Sequence, residues 1–437
     1  MKYWHSKQFG RGMIASAMAV ALMACSAKEQ GPNTPVVEAE EPLKFGILAF
    51  GDSGYHPNYL KESQYNPPKT TEAEYLDAKQ KKWIKSKRPP AEFSAPPSYY
   101  VESENTWIEA SGLYPTAEAM VSYCESRSCE FSVMLGDNIY PDGATKGVDG
   151  KSDEERFDIL FSKPFSPLGE GKPDFRIYTT LGNHDWNTSR AGAMAQVEFM
   201  ENTLPFYMDG ISYSVKPPAG NGEVEIFVID TEVLLSSTTV YEDELNDDGS
   251  PVVGTEVKEP EPWTVPQNDA EKNMVAWLDN AMKQSDARWK LVVAHHPIWS
   301  TGGTKFTQAT ALREMLMPTL CRYADVYFAG HEHSLELHED SCESVLGEGS
   351  NLPLLEIISG AAGKQRGVNT AFKAYQDKHH PETKSIWVKG MTWGFAHIQF
   401  DGDSATVDMV TTPNDGSATT ETVFSHTFER RSNRVIL

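Results

Sequence analysis

Five short apolar runs of the chain each stop at a polar cluster, and this repetition constrains the fold more than any other feature. The runs are rich in β-branched and aromatic residues, which predicts buried strands. The residues that follow them are Asp52, Asp137, Asn183, His295 and His331. Because sites in open α/β sheets form at the carboxyl ends of strands, we expect these five ends to converge.

The last of these ends carries two imidazoles, His331 and His333, one residue apart. Neutral imidazole is a favoured donor for zinc, iron and manganese, but a divalent ion needs more than two ligands. The other strand ends would supply the rest. The sequence therefore predicts a metal site at this edge of the sheet, with a sixth run, residues 352–358, leading into a glycine-rich wall at 359–363.

The other elements are predicted from periodicity. Helix-forming residues predict a packing helix over Thr116–Tyr123, and the helical spacing of apolar residues predicts another over Asn268–Lys283. Alternation over 394–400, followed by a turn at 401–403, predicts an antiparallel hairpin that closes the domain.

The N-terminus is typical of an exported protein. Three basic residues precede an apolar run that ends at residue 24, which predicts a secretory signal at 1–24. The run closes on Leu-Met-Ala-Cys, which resembles the bacterial lipobox and implies acylation of Cys25; an ordinary signal with a chance cysteine is the alternative. Residues 25–42 would then form a flexible tether to the cell envelope. Because residue 26 is Ser rather than Asp, the outer membrane is the expected destination in a Gram-negative cell.

Charge and cysteine content restrict the partners. The formal charge is −23, from 39 basic and 62 acidic residues, so the surface repels nucleic acid. A phosphate-bearing substrate would need a local positive charge, which a metal centre supplies. Four cysteines follow Cys25, and an even number in an exported protein predicts disulfides. The sequence-local pairing is Cys124 with Cys129 and Cys321 with Cys342, although three pairings are open.

The polar clusters carry a resemblance to a known family. The segments 51–54, 136–140, 182–184, 292–295 and 330–333 read GDSG, GDNIY, GNH, VVAH and GHEH. In this order they resemble the five motifs of the purple acid phosphatases, a branch of the calcineurin-like metallophosphatases. The resemblance implies an α/β sandwich of two mixed sheets packed face to face and flanked by helices. Residues 43–437 would form a single catalytic domain, with insertions at about 56–112 and 231–266.

The resemblance also implies a dinuclear metal centre. Asp137 would bridge two ions, with Asp52, Tyr140 and His333 on the first ion and Asn183, His295 and His331 on the second. The wider superfamily usually has a histidine where this chain has Gly54, so a phenol replaces an imidazole. A phenolate favours a trivalent ion, which implies Fe(III) paired with Fe(II), Zn(II) or Mn(II). A core role for Tyr140 is the alternative.

The implied reaction is the hydrolysis of small phosphate monoesters by metal-activated water. Similarity to the family implies that His184 stabilises the phosphoryl oxygens or protonates the leaving group, and that Asp185 orients His184. Phosphodiesterase, nucleotidase or pyrophosphatase activity at the same centre remains open, as does a non-catalytic binding lipoprotein. A second histidine of mammalian-type members is replaced by Thr304, so His184 acts alone or with His296 or His56.

The first insertion is expected to wall the pocket. Its basic run could attract polyphosphate or anionic lipid, but acidic residues precede the lysines at helical spacing, which favours an exposed helix. The run comprises Lys79, Lys81, Lys82, Lys85, Lys87 and Arg88. The second insertion faintly resembles a calcium loop at 244–255, but Thr255 stands where a bidentate Glu belongs, which favours an acidic solvated loop.

Overall fold

The structure, a computed structural model, describes residues 43–236, 240–241, 257–258, 265–302, 306–347 and 352–431. The predicted signal, tether and Cys25 lie outside these residues, as do Thr304 and the calcium-loop-like segment. The described residues form one compact unit. Across the described ranges, none of the helices has the length and apolar character needed to cross a bilayer.

The described residues form eighteen strands, which are β1 (Lys44–Phe50), β2 (Ser98–Val101), β3 (Thr106–Glu109), β4 (Phe131–Leu135), β5 (Ile177–Thr180), β6 (Phe206–Tyr207), β7 (Tyr213–Val215), β8 (Val224–Val228), β9 (Val240–Tyr241), β10 (Val257–Lys258), β11 (Trp289–Val293), β12 (Val326–Ala329), β13 (Leu335–Asp340), β14 (Leu354–Ser359), β15 (Thr383–Lys389), β16 (Trp393–Asp401), β17 (Ser404–Thr412) and β18 (Glu421–Glu429).

Their α-helices are α1 (Glu62–Tyr65), α2 (Glu72–Lys85), α3 (Leu113–Cys124), α4 (Asp153–Phe157), α5 (Lys163–Phe165), α6 (Asn183–Trp186), α7 (Arg190–Asn202), α8 (Thr231–Ser236), α9 (Asp269–Lys272), α10 (Met274–Gln284), α11 (Phe306–Tyr323), α12 (Glu343–Leu346) and α13 (Thr370–His379). A π-helical turn, Asp158–Ser162, joins α4 to α5.

Two seven-stranded mixed sheets organise the domain, as predicted. The first has the order β18-β17-β16-β1-β4-β5-β6 and the second the order β15-β13-β14-β12-β11-β8-β7. In the first sheet β1, β4 and β5 run parallel, and in the second β8, β11, β12 and β14 do. The apolar runs are buried on both faces, as expected for strands between helices and a second sheet.

The sheets meet directly beneath the strand ends. The Ser359 hydroxyl at the end of β14 donates to the carbonyl of Ala49 in β1, at 2.7 Å. The same oxygen accepts the amide of Ala396 in β16, at 3.1 Å. These two bonds satisfy a buried hydroxyl and fix the second sheet against the first at the edge where the polar clusters lie.

Several local predictions are confirmed and others are shifted. The hairpin of β16 and β17 turns at Gly402 as predicted, and β18 extends it. Helix α3 begins three residues before the predicted start. The helix predicted over Asn268–Lys283 is two helices, capped by Asn268 and interrupted at Asn273. The structure contains the sequence-local disulfides, Cys124 with Cys129 and Cys321 with Cys342.

Candidate metal centre

Five strand ends converge between the two sheets, as the sequence predicts. The ends of β1, β4 and β5 come from the first sheet, and those of β11 and β12 from the second. Asp52, Asp137 and His331 all adopt positive φ, at 55°, 51° and 65°. The left-handed region is unfavourable for residues with a Cβ, and such conformations concentrate at functional sites because packing enforces them.

One group of donor atoms surrounds the phenolic oxygen of Tyr140. Asp52 Oδ1 and Asp137 Oδ2 each lie 2.8 Å from that oxygen, and His333 Nε2 lies 3.0 Å from it. His333 Nε2 is also 3.3 Å from Asp52 Oδ1. The structure therefore brings together four predicted ligands of the first ion at the separations expected of donors that share one cation.

A second group of donors lies beside the first. His295 Nε2 is 3.1 Å from His331 Nδ1 and 3.2 Å from Asn183 Oδ1, and His331 Nδ1 is 3.0 Å from Asn183 Oδ1. The other carboxylate oxygen of Asp137, Oδ1, is 3.3 Å from His295 Nε2. Asp137 thus directs one oxygen to each group, which is the geometry of a bridging ligand.

Backbone groups fix the orientation of these donors. His295 Nδ1 lies 2.8 Å from the carbonyl of Leu135, so the proton sits on Nδ1 and Nε2 presents its lone pair. The amide of His331 donates to Asp52 Oδ2 at 2.7 Å, and the amide of His184 donates to Asp137 Oδ1 at 2.8 Å. The backbone of one segment therefore holds a side chain carried by another, which fixes the donors relative to one another.

The electrostatics of the site fit a cation. Burial, and then the neighbouring charge of Asp137, raise the pKa of Asp52 well above its ordinary value. Burial and the same two carboxylates raise the pKa of Tyr140. Burial, followed by the charges of Arg366 and Lys364, lowers the pKa of His333 and leaves its imidazole neutral. Two adjacent buried carboxylates are costly alone, and a cation among them would remove that cost.

Gly54 lies where the turns after β1 and β4 pack closely together. A Cβ at this position would lie 2.0 Å from the carbonyl oxygen of Asn138. The backbone of Gly54 is also paired with the next motif, because its amide donates to Asp137 and its carbonyl accepts from Tyr140. Any side chain at residue 54 would push the two turns apart, so this position has no room for the imidazole that the resemblance would place there.

His184 and Asp185 do not form the predicted pair. His184 stands at the rim, with its ring 4.3 Å from that of Tyr140 and Nδ1 2.6 Å from the Pro141 carbonyl. Asp185 is buried and accepts backbone amides from Gly182, Asn138 and Ile139. The prediction that Asp185 orients His184 is therefore wrong, since its oxygens are used to join the turns after β4 and β5.

The two alternative histidines have different surroundings. His296 is buried, its Nδ1 lies 2.9 Å from Thr231 Oγ1, and its ring centroid is 4.4 Å from that of His331. It therefore packs against the ring of a predicted ligand. His56 caps a short 3₁₀ turn by accepting the amide of Asn58, which is a structural role.

The first insertion forms part of the wall around the centre, as expected. Helix α2 begins with a capping box between Thr71 and Glu74, and Lys81 pairs with Asp77 on its exposed face. Lys82, however, faces a cavity that His333 also lines. The exposed-helix interpretation of the basic run is therefore incomplete.

The cationic residues on the opposite side of this cavity were not predicted from the sequence. Lys364 and Arg366 line it just beyond the glycine-rich wall, and no local pattern distinguishes them from other surface cations. Their position follows from the wall itself: a Cβ at Gly360 would lie 2.5 Å from Asp52 Oδ2, and Gly363 packs equally closely on the backbone of Ser53. The turn that follows is thereby held against the donor cluster.

Comparison with known proteins agrees with this geometry. The family model described as calcineurin-like phosphoesterase matches residues 47–335, which include all seven predicted ligands. The chain is 26% identical over 296 residues to purple acid phosphatase 4 of Arabidopsis thaliana, which covers 66% of this chain and 73% of the relative. It is 29% identical over 219 residues to purple acid phosphatase 7 of the same plant, covering 48% of this chain and 56% of the relative.

A mammalian relative and a solved structure extend the comparison. Tartrate-resistant acid phosphatase type 5 of Sus scrofa is 26% identical over 229 residues, covering 51% of this chain and 58% of the relative. The chain thus spans little more than half the length of several curated relatives that it matches. The structure of GAP50, described as the anchor in the inner membrane complex of Plasmodium, superposes with a TM-score of 0.53 at 14% identity, covering 89% of this chain and 90% of that one. This last likeness concerns the fold alone.

Proposed function

We propose that this chain, which belongs to the calcineurin-like phosphoesterase family and within it to the purple acid phosphatase branch, hydrolyses phosphate monoesters at a dinuclear metal centre. The observation that supports the proposal is the shared position of Asp137 between two groups of donor atoms. A single structural ion needs no bridging carboxylate, whereas paired ions are a recurring arrangement for phosphoester hydrolysis.

The donor set favours two different metals. The group around Tyr140 offers a phenol and two carboxylates, which are hard anionic donors and suit Fe(III). The group of His295, His331 and Asn183 offers imidazoles and an amide, which suit Fe(II), Zn(II) or Mn(II). When bound, such ions supply Lewis-acid polarisation of the ester and lower the pKa of a bound water.

His184 is the proposed proton donor to the leaving group. Its Nδ1 lies beside the Pro141 carbonyl and is thus protonated, while its Nε2 lies 4.0 Å from Asp137 Oδ2 on the open side of the centre. Asn187 donates to the same carbonyl at 3.1 Å. The ring is therefore oriented by the Pro141 carbonyl, so a proton on Nε2 can be given to an ester oxygen bound above the donors.

Cleavage of phosphodiesters, nucleotides or pyrophosphate at the same centre is the second candidate activity, and the cavity beside His333 is the feature that favours a substrate with additional anionic groups. A non-catalytic binding role on the same fold is a third reading. The complete donor set and the accessible His184 favour catalysis over that role, because a binding module has no need for paired metal ligands.

The proposed location is the bacterial envelope, with the chain anchored through lipid on Cys25. Its support is the lipobox-like sequence alone. Labelling of the expressed full chain with a radioactive fatty acid tests this, and we expect incorporation that Cys25→Ala abolishes. Export of the protein without incorporation of the fatty acid would indicate an ordinary secretory signal instead of a lipid anchor.

Turnover of simple esters by metal-loaded protein tests the proposed activity. We expect hydrolysis of p-nitrophenyl phosphate to exceed hydrolysis of bis(p-nitrophenyl) phosphate, with two metal ions per chain by elemental analysis. Faster cleavage of the diester would assign a phosphodiesterase. Two bound ions with no turnover of either ester would favour the binding role.

Visible absorption tests the assignment of Fe(III). An oxidised sample should be coloured by charge transfer from the Tyr140 phenolate to iron, and Tyr140→Phe should remove that band. A colourless iron-loaded protein, or a band that survives the substitution, would contradict the assignment.

A further inference from the structure

A cavity of about 240 Å³ adjoins the candidate metal centre on the side of the first insertion. His333, a predicted ligand of the first ion, lines the cavity together with residues of α2 and of the turn after β14. We call this cavity the basic pocket, because five of its lining side chains are cationic: Lys79, Lys82, Arg88, Lys364 and Arg366.

Tight packing holds the two halves of the basic pocket together. The buried ring of Trp83 in α2 lies against Gly367, where a Cβ would be only 2.1 Å from the ring. Arg88 Nε donates to the Gly367 carbonyl at 2.7 Å, although the two residues are 279 positions apart. The first insertion is therefore packed against the turn after β14, and this packing gives the basic pocket a defined shape.

The positive charge of the basic pocket is only partly neutralised. Lys79 pairs with Glu109 and Arg366 pairs with Glu332. Glu109 also lines the cavity and acts on Lys82 and Lys364 through its charge, but its ion pair is with Lys79, and none of the ion pairs among the described residues involves Lys82 or Lys364. Such a concentration of positive charge is notable in a chain whose formal charge is −23, and it focuses a positive potential on the cavity.

Two further features agree with an excess of positive charge in the basic pocket. Arg88 is only 6% exposed, and its Nη2 has no hydrogen-bond partner among the described residues. Desolvation within the pocket, and then the charges of Lys79 and Lys364, lower the pKa of Lys82 to about 8. An anion in the cavity would offset the mutual repulsion of these cations.

The basic pocket adjoins the candidate metal centre at His333. The Lys364 ammonium lies 5.1 Å from the centre of the Tyr140 ring and 4.2 Å from that of Tyr55. The amide of Arg366 donates to the carbonyl of His333 at 2.8 Å. A molecule bound by the donor cluster would therefore have these cations at its side.

We propose that the basic pocket binds a second phosphate group of the substrate. The preferred substrates would then be small molecules that carry two phosphate groups close together. The inference rests on the proposed function, because it assumes that the first phosphate binds at the metal centre. The phosphate in the basic pocket is held by charge and is not the one that is cleaved.

Neighbouring lysines of α2 provide a matched test. Lys82 lines the basic pocket, whereas Lys81 lies on the solvent face with its side chain 75% exposed. Calorimetry on metal-loaded protein compares methylenediphosphonate, which carries two phosphonates, with methylphosphonate, which carries one. We expect the ratio of the affinity for methylenediphosphonate to that for methylphosphonate to be the same in the wild type and in Lys81→Gln. In Lys82→Gln this ratio should fall about tenfold, as expected for the loss of one charge-assisted contact.

Hydrolysis of inorganic pyrophosphate and phenyl phosphate gives the second readout. We expect Lys82→Gln to lower kcat/KM for pyrophosphate about tenfold more than for phenyl phosphate, and Lys81→Gln to leave the ratio unchanged. Equal ratios in all three proteins, in binding and in turnover, would overturn the proposal. If the wild type hydrolyses neither substrate while Lys82→Gln still weakens diphosphonate binding, the pocket stands and the proposed activity fails.

Discussion

The candidate metal centre and the basic pocket are adjacent clusters of opposite charge, and they are built differently. In the centre, carboxylates, a phenol and imidazoles converge to separations of 2.8 to 3.3 Å, and both carboxylates are oriented by amides of neighbouring turns. In the pocket, long cationic side chains from a docked helix and a distant turn surround a cavity of about 240 Å³. The donors of the centre are fixed by backbone groups at strand ends, whereas the cations of the pocket are long side chains brought together by the packing of α2 against the turn after β14. Changes in the centre should thus affect every substrate, and changes in the pocket should affect only selectivity.

Asp137→Asn should have the largest effect. The substitution keeps the shape but removes the charge shared by both donor groups, so we expect fewer than two ions per chain and about a thousandfold loss of kcat/KM for every substrate, equivalent to about 4 kcal/mol. Elemental analysis and assays with both phenyl phosphate and pyrophosphate measure this.

Asp230→Asn is the matched control for that variant. Asp230 is also buried, and it accepts a hydrogen bond from Trp186 Nε1 at 2.9 Å, outside the donor cluster. We expect it to retain both ions and activity. Full activity in Asp137→Asn, or an equal loss in Asp230→Asn, would remove the special role of the bridging position.

Gly54→Ala should disrupt the centre through its backbone. The added Cβ would meet the Asn138 carbonyl oxygen at 2.0 Å, and backbone cannot move aside without shifting Asp137. We expect the free energy of unfolding to fall by about 1–3 kcal/mol, together with weaker metal binding. Chemical denaturation and metal titration test this. An unchanged metal affinity would mean that the turns after β1 and β4 tolerate separation.

Gly367→Ala applies the same substitution to the basic pocket. Here the close contact, at 2.1 Å, is with the side chain of Trp83, which can shift as α2 moves outward. We expect a loss of about 1–2 kcal/mol in unfolding free energy, two ions still bound, and a weaker preference for pyrophosphate over phenyl phosphate. If Gly367→Ala lost metal ions but kept the preference for pyrophosphate over phenyl phosphate, the basic pocket would affect metal binding and not selectivity, which contradicts the distinction between the two regions.

The smallest expected effect is on pH dependence. The pKa of Lys82 is lowered to about 8 by desolvation and by Lys79, Lys364 and Arg366, while Glu109 acts in the opposite direction. Lys82 is therefore charged below about pH 8 and neutral above it. The advantage of wild type over Lys82→Gln toward pyrophosphate should be largest near pH 7 and shrink by a few fold at pH 9. A constant advantage would show that Lys82 does not act through its charge.

The two regions also differ in what their sequences reveal. Predicted ligands such as Asp52 and His331 follow apolar runs directly, and parallel strands bring such ends to one edge, so local patterns indicate them. Lys364 has no such signal, because its approach to Lys82 depends on the packing of Trp83 against Gly367. Tertiary contacts of this kind between distant segments leave no periodicity in the chain.

The error at Asp185 has a related physical cause. Its position beside His184 suggested a pair, but three backbone amides of two separate turns compete for the same carboxylate. Buried carboxylates take the strongest available set of donors, and that set is visible only after folding.

Anomalous X-ray diffraction from crystals of the metal-loaded protein tests the central claim most directly. We predict two metal peaks, one bound by Asp52, Asp137, Tyr140 and His333 and the other by Asp137, Asn183, His295 and His331. A single peak, or two peaks without Asp137 between them, would contradict the account.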